Sequence, residues 1–209
     1  FLDYTFLPMA SSESIEWVRL TALGGLTAAA AHELNNKLGI LTLRVEKLET
    51  LGPGGPGLQR DLEVMARNLD QAGEILGKLQ AFRSAAMGAP ETSQDVAAVV
   101  EAALALPRLI YGKKYVIETE LPGGLQVRAA EMALQSLIIL MLLAAVESSG
   151  YNATIRLTAS AADDGVRLEA LGAGEQPASE SSVGPVAAAL QGRVEVRDGG
   201  VAVWLPSGE

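Results

Sequence analysis

Residues 13–57 read ESIEWVRLTALGGLTAAAAHELNNKLGILTLRVEKLETLGPGGPG, and their periodicity decides the fold class. Leu23, Leu26, Ala30, Leu34, Leu38, Leu41, Val45 and Leu48 recur in steps of three and four, which is a helical seam rather than a strand pattern. Ser11, Ser12 or Ser14 supplies a cap, and Glu13 and Glu16 lie near the positive end of the helix dipole. One helix is therefore expected over Glu13–Leu51. It stops at Gly52-Pro53-Gly54-Gly55-Pro56-Gly57, where proline removes donors and glycine adds backbone entropy. A second seam follows at once through Leu58, Leu62, Met65, Leu69, Ala72, Leu76 and Leu79. Two long helices joined by a short turn make an antiparallel hairpin. A lone hairpin leaves much of each apolar stripe in water. Two copies packed as a four-helix bundle cover it, so a homodimer is expected; packing of the stripe on the rest of its own chain is the alternative.

Working outward, the chain has 209 residues, 16 basic against 25 acidic side chains, a net charge of −9, one His and no Cys. That length suits one or two domains with a real core. Disulfides, thiol nucleophiles and thiolate metal sites are excluded, as is a multi-histidine metal site within one chain. The acidic balance argues against nucleic acid as a partner. The run Met132–Val146 is very apolar but shorter than the ~20 residues of a spanning helix, and it carries Gln135 and Ser136, so it reads as a buried core helix. No membrane span is expected, and a cytoplasmic location is. The chain starts with Phe rather than Met, which reads as a fragment with residues missing upstream.

The pattern breaks around Gly88–Glu91, giving expected domains at 1–90 and 91–209. Beyond the break, helices are expected over Asp95–Leu106, Ala130–Ser148 and Val186–Leu190. Strands are expected over Tyr115–Leu121, Thr154–Ala159, Val166–Ala170, Arg193–Arg197 and Val201–Leu205, with hairpin turns at Asp163-Asp164-Gly165 and Asp198-Gly199-Gly200. A Gly- and Ser-rich stretch over Gly172–Ser182 reads as a mobile loop. The fold class is α+β: a helical hairpin followed by a two-layer α/β sandwich.

The single imidazole, His32, falls on the helix side opposite Ala30 and Leu34, away from the seam. Asn35 and Asn36 follow one turn later, and Ala28, Ala29 and Gly39 keep the strip low. On spacing alone, a solvated surface histidine is the commoner reading. The local sequence adds more. Ala31-His32-Glu33-Leu34-Asn35-Asn36 resembles the phosphoacceptor box of bacterial histidine kinases, which most often continues with Pro-Leu. The hairpin resembles their dimerisation and phosphotransfer domain. From Ser93 onward the order of elements resembles their ATP-binding domain, with Val201–Pro206 as its last strand. Lys37 stands where the family usually has proline. The substitution removes an expected kink and adds a cation beside the acceptor.

Larger departures bear on function. The resemblance places the family's two ATP-domain asparagines, the later one a Mg²⁺ ligand, at Leu140 and Ala144. Neither side chain can hold a metal or donate a hydrogen bond. The adenine-reading Asp of the family's Asp-x-Gly-x-Gly motif falls at Ala170, while Gly172 and Gly174 survive. The Gly-rich lid is reduced to Ser182-Val183-Gly184-Pro185. The chain is therefore expected to keep the fold without binding ATP, and to carry no cofactor or metal of its own.

What remains is similar to dimeric histidine phosphotransferases that resemble kinases with degenerate ATP domains. The resemblance implies that His32 exchanges a phosphoryl group with the Asp of response-regulator receiver domains, with Mg²⁺ arriving on the receiver. It implies that Glu33 accepts the hydrogen bond of the second ring nitrogen and that Asn36 orients the phosphoryl group or an attacking water. Receiver docking is expected along Asn35, Asn36, Lys37, Gly39 and Leu43. A divergent kinase, a receiver phosphatase and a scaffolding pseudokinase are the alternatives.

Overall fold

The computed structural model describes residues 12–52, 55, 57–84, 90–163, 165–174 and 182–208, with side chains in the first helix from residue 20 onward. The described residues divide into two compact units. One comprises Leu26–Ser84; the other comprises Ala85–Glu209 together with the chain up to Gly25.

In the hairpin, α1 (Ser12–Leu51) and α2 (Leu58–Ser84) form as the two seams require. α1 runs unbroken through Lys37, as expected where proline is absent. It ends where Gly52 adopts φ +70° and donates its N–H to the Leu48 carbonyl at 3.0 Å, a left-handed cap that glycine takes without strain. Near the turn, Asp61 is buried and pairs with Arg44 and Lys47 of α1, which fixes the register of the two helices.

The apolar seam does not coincide with the inner face. Leu26, Ala30, Glu33 and Lys37 are buried on α1, whereas Leu38 is 56% exposed and Val45 is also exposed. On α2, Asp61 and Ile75 are buried while Leu62, Leu69 and Leu76 stand exposed at seven-residue intervals. The inner positions of α1 run one residue earlier than Leu34 and Leu38, so polar side chains take places within the hairpin. An apolar stripe is left alongside it.

The second unit is an α/β sandwich. Asp95 caps α3 (Val96–Tyr111) by accepting the Ala98 N–H at 2.9 Å. This helix continues five residues past the expected end at Leu106, through Pro107, because Ile110 completes its buried face. α4 (Glu131–Glu147) is buried nearly all round, as expected for a core helix, with Leu134, Leu137, Ile138, Met141 and Leu142 enclosed. Each such side chain stabilises the fold by about 1.5–3 kcal/mol. Among the described residues no helix is long and apolar enough to cross a membrane.

The main sheet has the order β2 (Val116–Glu120), β4 (Thr154–Ala162), β5 (Gly165–Leu171), β7 (Gly200–Pro206), β6 (Arg193–Arg197). β2 and β4 are parallel and the other pairs antiparallel. Ile155, Leu157, Val166, Leu168, Val201, Val203 and Leu205 alternate onto the buried face. The opposite face carries Arg167 and Arg193 stacked on Trp204, their guanidinium carbons 5.4 and 4.4 Å from the ring centre. Two short strands unforeseen in the sequence, β1 (Thr92–Asp95) and β3 (Gln126–Ala129), pair antiparallel as a separate sheet. α5 (Val183–Ala189) starts three residues earlier than expected and takes Gly184 and Pro185 into its first turn. Most of the expected Gly- and Ser-rich loop lies outside the described residues.

Candidate functional site

His32 is exposed on α1, with Asn35, Asn36, Gly39 and Leu43 exposed beside and below it. The expected strip therefore exists as one accessible side of the helix, with one correction. Lys37 is not part of it. The side chain is 2% exposed and turns into the hairpin, where its Nζ lies 3.2 Å from Glu33 Oε1 and donates to Gln71 Oε1 of α2 at 2.7 Å. The reason is helical geometry: residues four apart share a face, and Glu33, itself 5% exposed, already points inward. Lys37 thus contributes its charge within the hairpin and not to the docking strip. Its partner Gln71 carried no signal in the sequence, since nothing in the spacing of α2 distinguishes it from any solvated glutamine.

The three positions at which the sequence resemblance puts nucleotide contacts lie in the second unit. Leu140 and Ala144 on α4 and Ala170 on β5 are all buried, at 2%, 3% and 0% exposure. Ala170 is enclosed between Leu157 on β4 and Val201 on β7. Past the end of α4, the Ser148 and Ser149 hydroxyls turn back onto the Ala144 and Ala145 carbonyls, at 2.6–3.1 Å.

The two surviving glycines have a structural use here. A Cβ on Gly172 would strike the Ser149 hydroxyl and approach Ala145 O to 3.0 Å, and one on Gly174 would fall on the Ser148 carbonyl. The chain after β5 can lie against the end of α4 only without side chains at these points. The Gly172 N–H also donates to the Gly199 carbonyl at 2.8 Å, tying this segment to the last hairpin. Among the described residues no group of three or more His, Asp or Glu is placed to hold a metal ion.

No protein-family profile matches the chain, and no curated protein matches it either. Solved structures do. A bacterial phosphotransferase superposes with a TM-score of 0.50 at 15% identity, over 88% of this chain and 95% of its own. The histidine kinase AdeS of Acinetobacter baumannii gives 0.49 at 16% identity, over 85% of this chain and 98% of its own. The histidine kinase ThkA in complex with the response regulator TrrA gives 0.45 at 19% identity, over 91% of this chain and 63% of its own. At these identities the likeness concerns the fold. That fold, a helical hairpin followed by an α/β sandwich, is shared with the bacterial phosphotransferase over most of both chains.

Proposed function

We propose that this chain is a histidine phosphotransferase of a cytoplasmic phosphorelay, passing phosphoryl groups between receiver-domain aspartates and His32 without using ATP. The observation that carries the reading is a contrast. The acceptor His32 stands exposed on an unbroken helix, while Leu140, Ala144 and Ala170 are apolar and buried where a nucleotide site would need polar groups. In this scheme the imidazole acts in its neutral form, with one ring nitrogen's lone pair free. Its lone pair attacks phosphorus in line as the bond to the aspartyl oxygen breaks, and Asn36, one turn on, orients the phosphoryl oxygens. Mg²⁺ belongs to the receiver in this scheme. The receiver docks along Asn35, Asn36, Gly39 and Leu43.

The working form is a homodimer. Leu62, Leu69 and Leu76 make an exposed heptad line on α2, and Leu38 and Val45 lie exposed at the same interval on α1. A second copy covers both stripes as a four-helix bundle.

The deciding experiment offers the protein labelled ATP with Mg²⁺ in one arm and phosphorylated receiver domains in the other. Label should reach His32 from receivers alone and vanish in His32→Ala. Labelling from ATP would overturn the reading in favour of a kinase. Receiver binding with no label from either source would leave a scaffold.

A further inference from the structure

On the face of the main sheet turned away from the core, charges on neighbouring strands are matched with one exception. Arg156 lies 3.4 Å from Glu118 and 3.6 Å from Glu120, Arg167 pairs with Glu169, and Arg197 meets Glu169 and Glu195, each at 3.0 Å. Arg193 is the exception. Among the described residues it has no carboxylate partner, and its guanidinium carbon rests 4.4 Å from the centre of the Trp204 ring. Stacking on a ring leaves the in-plane N–H donors of a guanidinium free, so its fork remains open to a carboxylate.

Arg193 and Trp204 line a cavity of about 450 Å³ that also takes in the β4–β5 turn. Strand lengths create it. β7 runs on to Pro206, which pairs with Gly165 of β5, whereas β6 begins at Arg193, opposite Trp204. A notch is left beside the end of β7, with Arg193 on one side and Asp163 on the other. Asp163 is exposed and, among the described residues, has no cationic partner; it does not pair with Arg193. Val166, Leu205 and Pro206 supply apolar lining. One unmatched cation, one unmatched anion and an apolar wall therefore share a cavity of a size that takes a small molecule.

We propose that this cavity binds a free α-amino acid with an apolar side chain, its carboxylate on the Arg193 guanidinium, its ammonium on Asp163 and its side chain against Val166, Leu205 and Pro206. Charge complementarity selects the zwitterion. A simple carboxylate satisfies Arg193 but comes up against Asp163, and a simple amine does the reverse. The site lies wholly within the second unit and makes no use of His32.

The test titrates the full chain with L-leucine and L-phenylalanine by calorimetry. In parallel, the emission of Trp204 is followed in a Trp17→Phe background, where it is the one tryptophan left. Saturable binding with a change in that emission is expected. Isocaproate, which is leucine without its ammonium, and isoamylamine, which is leucine without its carboxylate, should each bind at least about tenfold more weakly, and leucine should weaken as much on Arg193→Gln and Asp163→Asn. His32→Ala should bind leucine as the native chain does. If Arg193→Gln does not fold, Asp163→Asn and the two analogues decide. No saturable binding of either amino acid up to about 10 mM overturns the proposal. So does an analogue that binds as well as leucine, or undiminished binding to the folded variants.

Discussion

Lys47 Nζ on α1 lies 2.6 Å from Asp61 Oδ2 in the first turn of α2, and Arg44 holds the other oxygen of the same buried carboxylate. The hydrogen bond from Lys47, with the charges of Lys47 and Arg44, keeps the Asp61 carboxyl below its usual range, overcoming the opposing effect of desolvation. A carboxylate with a lowered folded-state pKa stabilises the fold fully above its unfolded value of ~3.9, and the contribution is lost as pH falls through the folded value. Asp61→Asn should therefore melt earlier than the native protein at neutral pH. The gap should close in acid below about pH 4. Circular dichroism melts across a pH series read this directly, and a gap independent of pH would refute it.

Tyr111 reports on the second unit at the other end of the scale. Burial, then the negative charge of Glu147 and the neighbouring Tyr115, pushes its phenol up to about 12. For an acid raised in this way, the stabilising contribution is complete below the ordinary value of ~10 and is lost as pH rises through the folded value. Tyr111 should ionise late in an ultraviolet titration, and Tyr111→Phe should remove that late step.

The exposed heptad line predicts assembly. Leu69→Glu places a charge on a side chain that is 57% exposed in the single chain, so it should leave the helices intact. In a dimer the same charge is buried, which is costly. Sedimentation should show the native chain as a dimer and the variant as a folded monomer. An unchanged sedimentation coefficient would remove α2 from the interface.

Gly174→Ala should destabilise the second unit by about 1–3 kcal/mol, since its Cβ lands on the Ser148 carbonyl and the segment after β5 must shift. Denaturant unfolding followed by Trp204 fluorescence measures the loss. A variant as stable as the native protein would show that the close approach is not required.

Much of this was legible in the chain. Periodicity found both long helices, the core helix α4 and the five strands of the main sheet, because each buries one face or, for α4, nearly every face. β1 and β3 escaped because they are four residues each: Thr-Ser-Gln-Asp carries no apolar side chain, and Gln-Val-Arg-Ala alternates over too short a run to stand out. The extension of α3 past Pro107 was hidden by the rule that proline ends helices, which the burial of Ile110 overrides. At the site, the exposure of His32 and its neighbours followed from the seam. The inward turn of Lys37 did not, because its acceptor Gln71 lies on the other helix, beyond the reach of local spacing.

Gly172 and Gly174 bring the end of the fifth strand against the end of the core helix, and any side chain there collides with Ser148 or Ser149. Those glycines are therefore required by the scaffold whether or not a ligand binds nearby. In this chain, then, the Gly-x-Gly stretch is a weak witness to an occupied site. Position 170, two places before it, tells more: Ala170 lies between Leu157 and Val201 and offers no polar group to a ligand.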